Sequence, residues 1–374
     1  MLILEIRKIF SILNGEPEEF AFDQDNFITV AKQHALLGLL YRALQNYSSA
    51  PVKLIAACKQ QYSINRLNAL HKIKFLADLQ QALMQRHVPM FSIKGALLAE
   101  FMYGDMGLRE SVDLDILIPA ETVLIAHEVF KNLGLQTDFI GITQPQYHPL
   151  IFAMGKDITY YCSKRNLQID VHWRLEYKPN NLRFDFNQLW KIRQTIILSS
   201  GEIFYTLPPI EEWLFLCMHA SRHAWKKLQW LCDIVNYLPM LQKKATPAEI
   251  KKKIIHYHAQ KHVQLALKLC ELGFPHALLP PHKLPKKLLY QVALREINQI
   301  IEHPIKRRIK LKLYDWMISH GCKNKLFVLF NPVRERFLKV WIQKKLPARL
   351  FFLCYPYYFL NLFLIFFRLR KRAS

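Results

Sequence analysis

Asp113 and Asp115 stand two residues apart in the run Arg109-Glu110-Ser111-Val112-Asp113-Leu114-Asp115-Ile116-Leu117-Ile118. Side chains on a strand alternate with period two, so both carboxylates point to one face. The strand continues through Ile116, Leu117 and Ile118 into a core, where that face would otherwise be apolar. Two carboxylates side by side there repel each other and lose hydration, and a bound cation relieves both costs. Oxygen ligands favour Mg²⁺ or Mn²⁺, which complete their shells with substrate phosphates. Asp170, in Leu167-Gln168-Ile169-Asp170-Val171-His172-Trp173, is another charge within an apolar strand. Beside the pair it supplies the third carboxylate of a two-metal phosphoryl-transfer site, where one ion activates a hydroxyl and the other steadies pyrophosphate. Gly95 falls at a strand-to-helix turn, where backbone N–H groups can hold a phosphate and glycine permits its close approach.

These groups need a sheet to carry them. Residues 88–93 form a short apolar run ending at Lys94-Gly95, as a buried strand entering a helix does. A helix is expected over 96–103, stopped by Gly104, then a strand over 112–118. A further helix runs from Pro119 to about residue 133 and closes at Gly134. Residues 158–161 and 167–175 flank Ser163-Lys164-Arg165-Asn166 and predict a hairpin. Before this region the spacing predicts a helix over 27–44, capped by Asp25, and a longer one from Pro51 to about Arg86. From Pro209 helical periodicity returns and persists. The class is α+β, with an N-terminal helical region (1–86), an α/β core (87–200), a helical domain (201–300) and a basic, aromatic-rich C-terminal region (301–374).

With the carboxylates in place, the order strand-Lys-Gly, helix, Arg-x-x-x-Asp-x-Asp, helix, hairpin with Asp-x-His-Trp resembles the uncharacterised bacterial nucleotidyltransferases of the polymerase-β superfamily. The resemblance covers roughly residues 26–238. Its leading helix is AKQHALLGLLYRAL, from Ala31, and its helical segment after the hairpin is HASRHAWKKLQWLCD, from His219. It implies a polymerase-β-type mixed sheet with flanking helices, and a helical domain closing over a nucleotide. Asp113 and Asp115 would bind both metals, and Asp170 the catalytic metal. Lys94, Gly95 and Ser111 would lie against the triphosphate, with Arg109 neutralising phosphate charge. The superfamily commonly has Gly-Ser or Gly-Gly where this chain has Lys94-Gly95. The implied reaction transfers a nucleoside monophosphate from a nucleoside triphosphate, ATP by default, to a hydroxyl acceptor that the sequence does not name. Removing the clustered carboxylates is expected to leave the fold intact, because it relieves repulsion.

Several residues near these motifs have two readings. His172 shares the face of Asp170 and either touches the acceptor or serves structure. His219 and His223 share a helix face without an HExxH pattern, which favours packing over metal binding. Among Arg222, Lys226 and Lys227, Lys226 is expected to reach the triphosphate. Asp233 either comes to the acceptor or pairs, buried, with a local Arg or His.

Composition bounds the partners. Lys plus Arg is 52 against 29 acidic residues, a net +23. Residues 301–374 hold 17 basic and 3 acidic side chains, so the excess is concentrated at one end, which suits a polyanion or an anionic membrane surface. Residues 350–367 carry no charge, but Pro356 and Asn361 interrupt them. Flanked by Arg349 and the cluster around Lys371, the 349–372 segment fits a shallow interfacial helix better than a span. The seven cysteines are scattered without a CxxC pair, and the N-terminus lacks a secretory pattern, so a cytoplasmic protein is expected, with membrane association through its C-terminus. Two rivals stand beside the enzyme. One is a catalytically inactive protein of the same fold that binds RNA or anionic membrane. The other is a metal-dependent glycosyltransferase, in which Asp170 would have no duty.

Overall fold

The computed structural model describes residues 2–354 and 356, apart from 177–183, 278–279, 281–282, 300–303, 323–324, 326–327 and 329–336. It opens with helices α1 (Leu4–Leu13), α2 (Gln24–Gln33), α3 (Leu37–Leu44) and the unbroken α4 (Val52–Gln85). The single helix expected over 27–44 is two, α2 and α3. Ala35 breaks it at φ +58°, because the chain there serves a tertiary contact. His34 is buried and accepts the Leu228 N–H at its Nδ1 (3.4 Å), while its carbonyl accepts the Gln229 N–H (3.3 Å). The cap of α2 is Asp23 rather than Asp25, its carboxylate accepting the Asp25 and Asn26 N–H groups.

A four-stranded sheet follows, interleaved with helices. Its order is β1-β2-β4-β3, from β1 (Phe91–Ile93), β2 (Leu114–Leu117), β3 (Asp157–Cys162) and β4 (Leu167–His172). Helix α5 (Gly95–Tyr103) joins β1 to β2, and α6 (Val123–Asn132) and α7 (His148–Met154) precede β3. β2 runs parallel to β4, and the outer pairs are antiparallel, so the sheet is mixed. The hairpin forms as expected, turning through Asn166 in the left-handed region. β2 is shorter than the expected 112–118, because Lys72 of α4 donates to the carbonyls of Ser111 and Val112 and holds that stretch outside the ladder.

The two faces of the sheet differ. Leu114, Ile116, Ile158, Tyr160, Ile169 and Val171 all enter one apolar cluster, against α4 and α6. The face bearing Asp115 carries Ile93 and Leu117, which pack with Phe215 in a smaller cluster. Beyond the sheet lie α8 (Phe186–Lys191) and the hairpin of β5 (Gln194–Ile197) and β6 (Ile203–Thr206), which the sequence reading did not anticipate. Helices α9 (Pro209–Arg222), α10 (Gln229–Lys244), α11 (Pro247–His256), α12 (Gln260–Gly273), α13 (Lys287–Ile297) and α14 (Pro304–Ile318) complete the order. Helices α9 to α14 share one hydrophobic cluster with α1 to α3, so the N-terminal helices pack on the helical part that follows the sheet.

No helix among the described residues is long and apolar enough to cross a membrane. Of the 349–372 segment, residues 355 and 357–372 lie outside the described residues, and so does most of the expected interfacial helix.

Candidate active site

Strand register brings the carboxylates together. β2 and β4 place Asp115 opposite Asp170, and β4 and β3 place Asp170 opposite Thr159 and His172 opposite Asp157. All five therefore share a face. Thr159 Oγ1 donates to Asp170 Oδ1 at 2.8 Å, and Gln168 Nε2 approaches the same oxygen at 3.4 Å.

Asp115 is buried and held from two sides. Lys94 Nζ lies 2.9 Å from Oδ2, and His172 Nε2 lies 2.9 Å from Oδ1. Burial alone would raise its carboxyl, but Lys94 and His172 outweigh that and hold it well below the usual carboxylate range. Burial draws His172 down to about 4, so its ring is neutral at pH 7. Its other nitrogen lies 3.4 Å from Asp157 Oδ2, a carboxylate that Lys156 contacts in turn.

Asp113 sits just before β2, partly buried, and makes no ion pair among the described residues. Burial and the neighbouring Asp115 push its carboxyl above the usual range. Asp115, Asp170 and His172 each offer a ligand atom, and those atoms lie within 4.8 Å of one another. Hence the compact set of ligand atoms includes His172, while Asp113, expected beside Asp115 and Asp170, adds its carboxylate at the edge. Two carboxylates, an imidazole and a further destabilised carboxylate form a donor set suited to a divalent cation.

Removing Asp115 does not simply relieve repulsion, contrary to the expectation for the cluster as a whole. It would leave the buried Lys94 ammonium without its partner.

Lys94 and Gly95 make the turn from β1 into α5, with φ of +59° and +68°. A side chain at position 95 would be strained by that backbone, which accounts for the glycine. The turn forms one wall of a cavity of about 210 Å³ that Ser111, Asp113, Asp115 and Trp230 also line. Ser111 points its hydroxyl at the Asp113 carbonyl (2.9 Å). On the far wall Trp230 meets His219 and His223, with ring centroids 5.4 Å apart in each case. Lys226 is exposed and lies outside this wall, whereas Lys227 lines it and reaches Glu110 Oε1 at 3.2 Å.

Arg109 also lines the cavity, but its guanidinium is engaged by Asp233 of α10. Nε lies 3.0 Å and NH2 3.0 Å from Asp233 Oδ2, and Tyr103 donates to Oδ1 at 3.1 Å. Both charges are buried, so the pair ties the loop before β2 to the helical part. The remaining nitrogen, NH1, lies 3.5 Å from the Gly95 carbonyl, beneath the turn. Asp233 is thereby placed behind the site, paired with arginine, and not on the sheet face that carries Asp170.

The sequence reading did not single out Lys72, Gln229 or Thr159. Gln229 exchanges hydrogen bonds with the backbone of Glu110, accepting its N–H (2.9 Å) and donating to its carbonyl (3.0 Å). A buried lysine in the apolar stripe of α4 was the one local signal of these three. Thr159 also lines a second cavity, of about 510 Å³, with Lys156, Asp157, Tyr161 and Trp173. It therefore links Asp170 to that space.

A family model described as an uncharacterised nucleotidyltransferase matches residues 21–275, more than half of the chain. Comparison with curated proteins gives no match.

Proposed function

The chain belongs to the uncharacterised nucleotidyltransferase family, and from that premise we propose that it transfers a nucleoside monophosphate, from ATP by default, to a hydroxyl acceptor. The α+β architecture, with helices flanking a mixed sheet, is that of a nucleotidyltransferase fold. The observation that carries the reading is the pairing of Asp115 with Asp170 across parallel strands, with Asp113 lining the same cavity as Asp115. A divalent cation, Mg²⁺ or Mn²⁺, would be held by Asp113, Asp115 and Asp170, and would supply charge neutralisation where the acceptor meets the α-phosphate.

The chain's own residues have these proposed parts. Lys94, Gly95 and Ser111 line the cavity that receives the triphosphate, and Trp230 offers an aromatic face to the base. Arg109 supports the Lys94-Gly95 turn from beneath, through its pair with Asp233. The acceptor approaches from the larger cavity, whose lining includes Thr159, the residue that donates to Asp170. Its oxygen forms a bond to the α-phosphorus as the bond to the bridging oxygen breaks. Pyrophosphate leaves, and the hydroxyl proton passes to Asp170. The division into a sheet core (87–200) and a closing helical domain (201–300) belongs to the same proposal, as does contact of residues 349–372 with anionic membrane.

The test is pyrophosphate release from a nucleoside triphosphate with Mg²⁺ or Mn²⁺ in the presence of candidate acceptors. Release abolished by Asp113→Ala supports the enzyme. Salt-sensitive RNA or lipid binding that ignores Asp113→Ala, without any nucleotide use, would favour a binding protein instead.

A further inference from the structure

We infer that Lys94 is a built-in cation, and that its ammonium takes the place of one of the two divalent ions a nucleotidyl-transfer site is expected to hold. The inference rests on the proposed function and deepens it. Four observations support it.

First, Lys94 Nζ stands 2.9 Å from Asp115 Oδ2, and His172 occupies the other oxygen at 2.9 Å. Both Asp115 oxygens are therefore engaged by the protein itself.

Second, the ammonium is fixed in place. Its side chain is 9 % exposed, its backbone leaves β1 at φ +59°, and Nζ lies over the Phe215 ring at 5.5 Å. His219 Nδ1 stands 3.5 Å from Nζ and is itself 3.2 Å from an Arg222 nitrogen.

Third, position separates the two halves of the site. β1 borders β2 on the side opposite β4, so Lys94 and Asp170 approach Asp115 from opposite directions. Lys94 lines the smaller cavity with Gly95 and Ser111, where the triphosphate is proposed to lie. The ammonium thus stands on the nucleotide side, and on the Asp170 side Asp115, Asp170 and His172 offer ligand atoms within 4.8 Å of one another.

Fourth, a second ion bound through Asp115 would have to displace the Lys94 ammonium from its carboxylate, leaving that ammonium beside a divalent cation without a partner of its own.

The test counts ions and does not depend on turnover. Full-length protein is dialysed to equilibrium with Mn²⁺ and a stoichiometric amount of a nucleoside triphosphate analogue with an uncleavable α,β bridge, and bound Mn²⁺ is counted. The expected result is one ion per chain for the wild type, and two for Lys94→Met and Lys94→Ala. Circular dichroism establishes that each variant is folded, and Mn²⁺ should raise the melting temperature of the variants more than that of the wild type. Two ions on the wild type overturn the inference without recourse to a variant and leave the proposed function standing. An unchanged single ion on a folded Lys94→Met protein overturns it as well. Failure of the wild type to bind either Mn²⁺ or the analogue overturns the proposed function, and the inference with it.

Discussion

His172 Nε2 stands 2.9 Å from Asp115 Oδ1, although the two residues are not register partners: Asp115 lies opposite Asp170, and His172 opposite Leu117. The ring reaches diagonally along the parallel pair and fixes the orientation of the carboxylate. Groups that orient a metal-binding carboxylate typically govern affinity by about 10- to 100-fold. His172→Ala is therefore expected to weaken Mn²⁺-dependent nucleotide binding by roughly that factor while leaving the fold intact. Calorimetry on the folded variant checks this, and undiminished affinity would assign His172 to packing alone.

Asp113 and Asp115 should respond oppositely to removal of their charge. Asp113 has no ion pair among the described residues and its carboxyl is raised by burial and by Asp115. Asp113→Asn should melt higher than wild type in EDTA at pH 7. Asp115→Asn weakens the hold on a buried lysine, a change that costs about 3 kcal/mol. Thermal melts of the two single variants, side by side, decide the point. Equal shifts of the same sign would contradict the ion-pair reading.

The Arg109–Asp233 pair joins the sheet to α10 in a fully buried setting. Removing one partner leaves an uncompensated charge and typically costs about 3–5 kcal/mol. Arg109→Ala should lose about that much in denaturant titration, whereas Arg109→Met combined with Asp233→Leu should recover most of the loss. Both proteins should also bind nucleotide less well, since the Gly95 turn loses its support. A double variant no more stable than Arg109→Ala would count against the buried pair.

Glu212 gives a pH dependence. Burial pushes its carboxyl up to about 7, against the opposing pull of the Lys94 and Leu207 backbone and of the Lys94 and Arg109 charges. The folded form binds a proton that the unfolded chain releases at lower pH. Its contribution to stability is therefore complete below about 4.5 and is lost as pH rises through about 7. Glu212→Gln should flatten that fall, gaining on the order of 3 kcal/mol over wild type above pH 7. Melts from pH 5 to 8 measure it, and parallel profiles for the two proteins would remove Glu212 as the cause.

Local pattern was sufficient wherever one element decided the outcome. Gly104 stops α5 at φ +66°, Asn166 turns the hairpin, and the alternation around Asp115 and Asp170 marks their shared face. What local pattern could not carry was set by distant residues. The 27–44 segment has helical periodicity throughout, yet it breaks at Ala35, where the backbone docks on Leu228 and Gln229. Val112 and Asp113 read as strand, but Lys72, some forty residues earlier, donates to the carbonyls of Ser111 and Val112 and holds that stretch away from the ladder. Arg109 has the chemistry of a phosphate ligand, and only the arrival of α10 gives it Asp233 instead. The β5–β6 hairpin carries β-formers on both sides of its Ser199-Ser200-Gly201 turn, Thr195-Ile196-Ile197 and Ile203-Phe204-Tyr205-Thr206, but strands of four residues are too short for alternation to establish a buried face.

The most direct measurement is calorimetric binding of the four ribonucleoside triphosphates, with and without Mg²⁺, to wild type and to Asp113→Ala. The proposed function predicts Mg²⁺-dependent binding of at least one nucleotide by wild type, lost in a folded Asp113→Ala protein. Absence of metal-dependent binding to folded wild type, for all four, would contradict it.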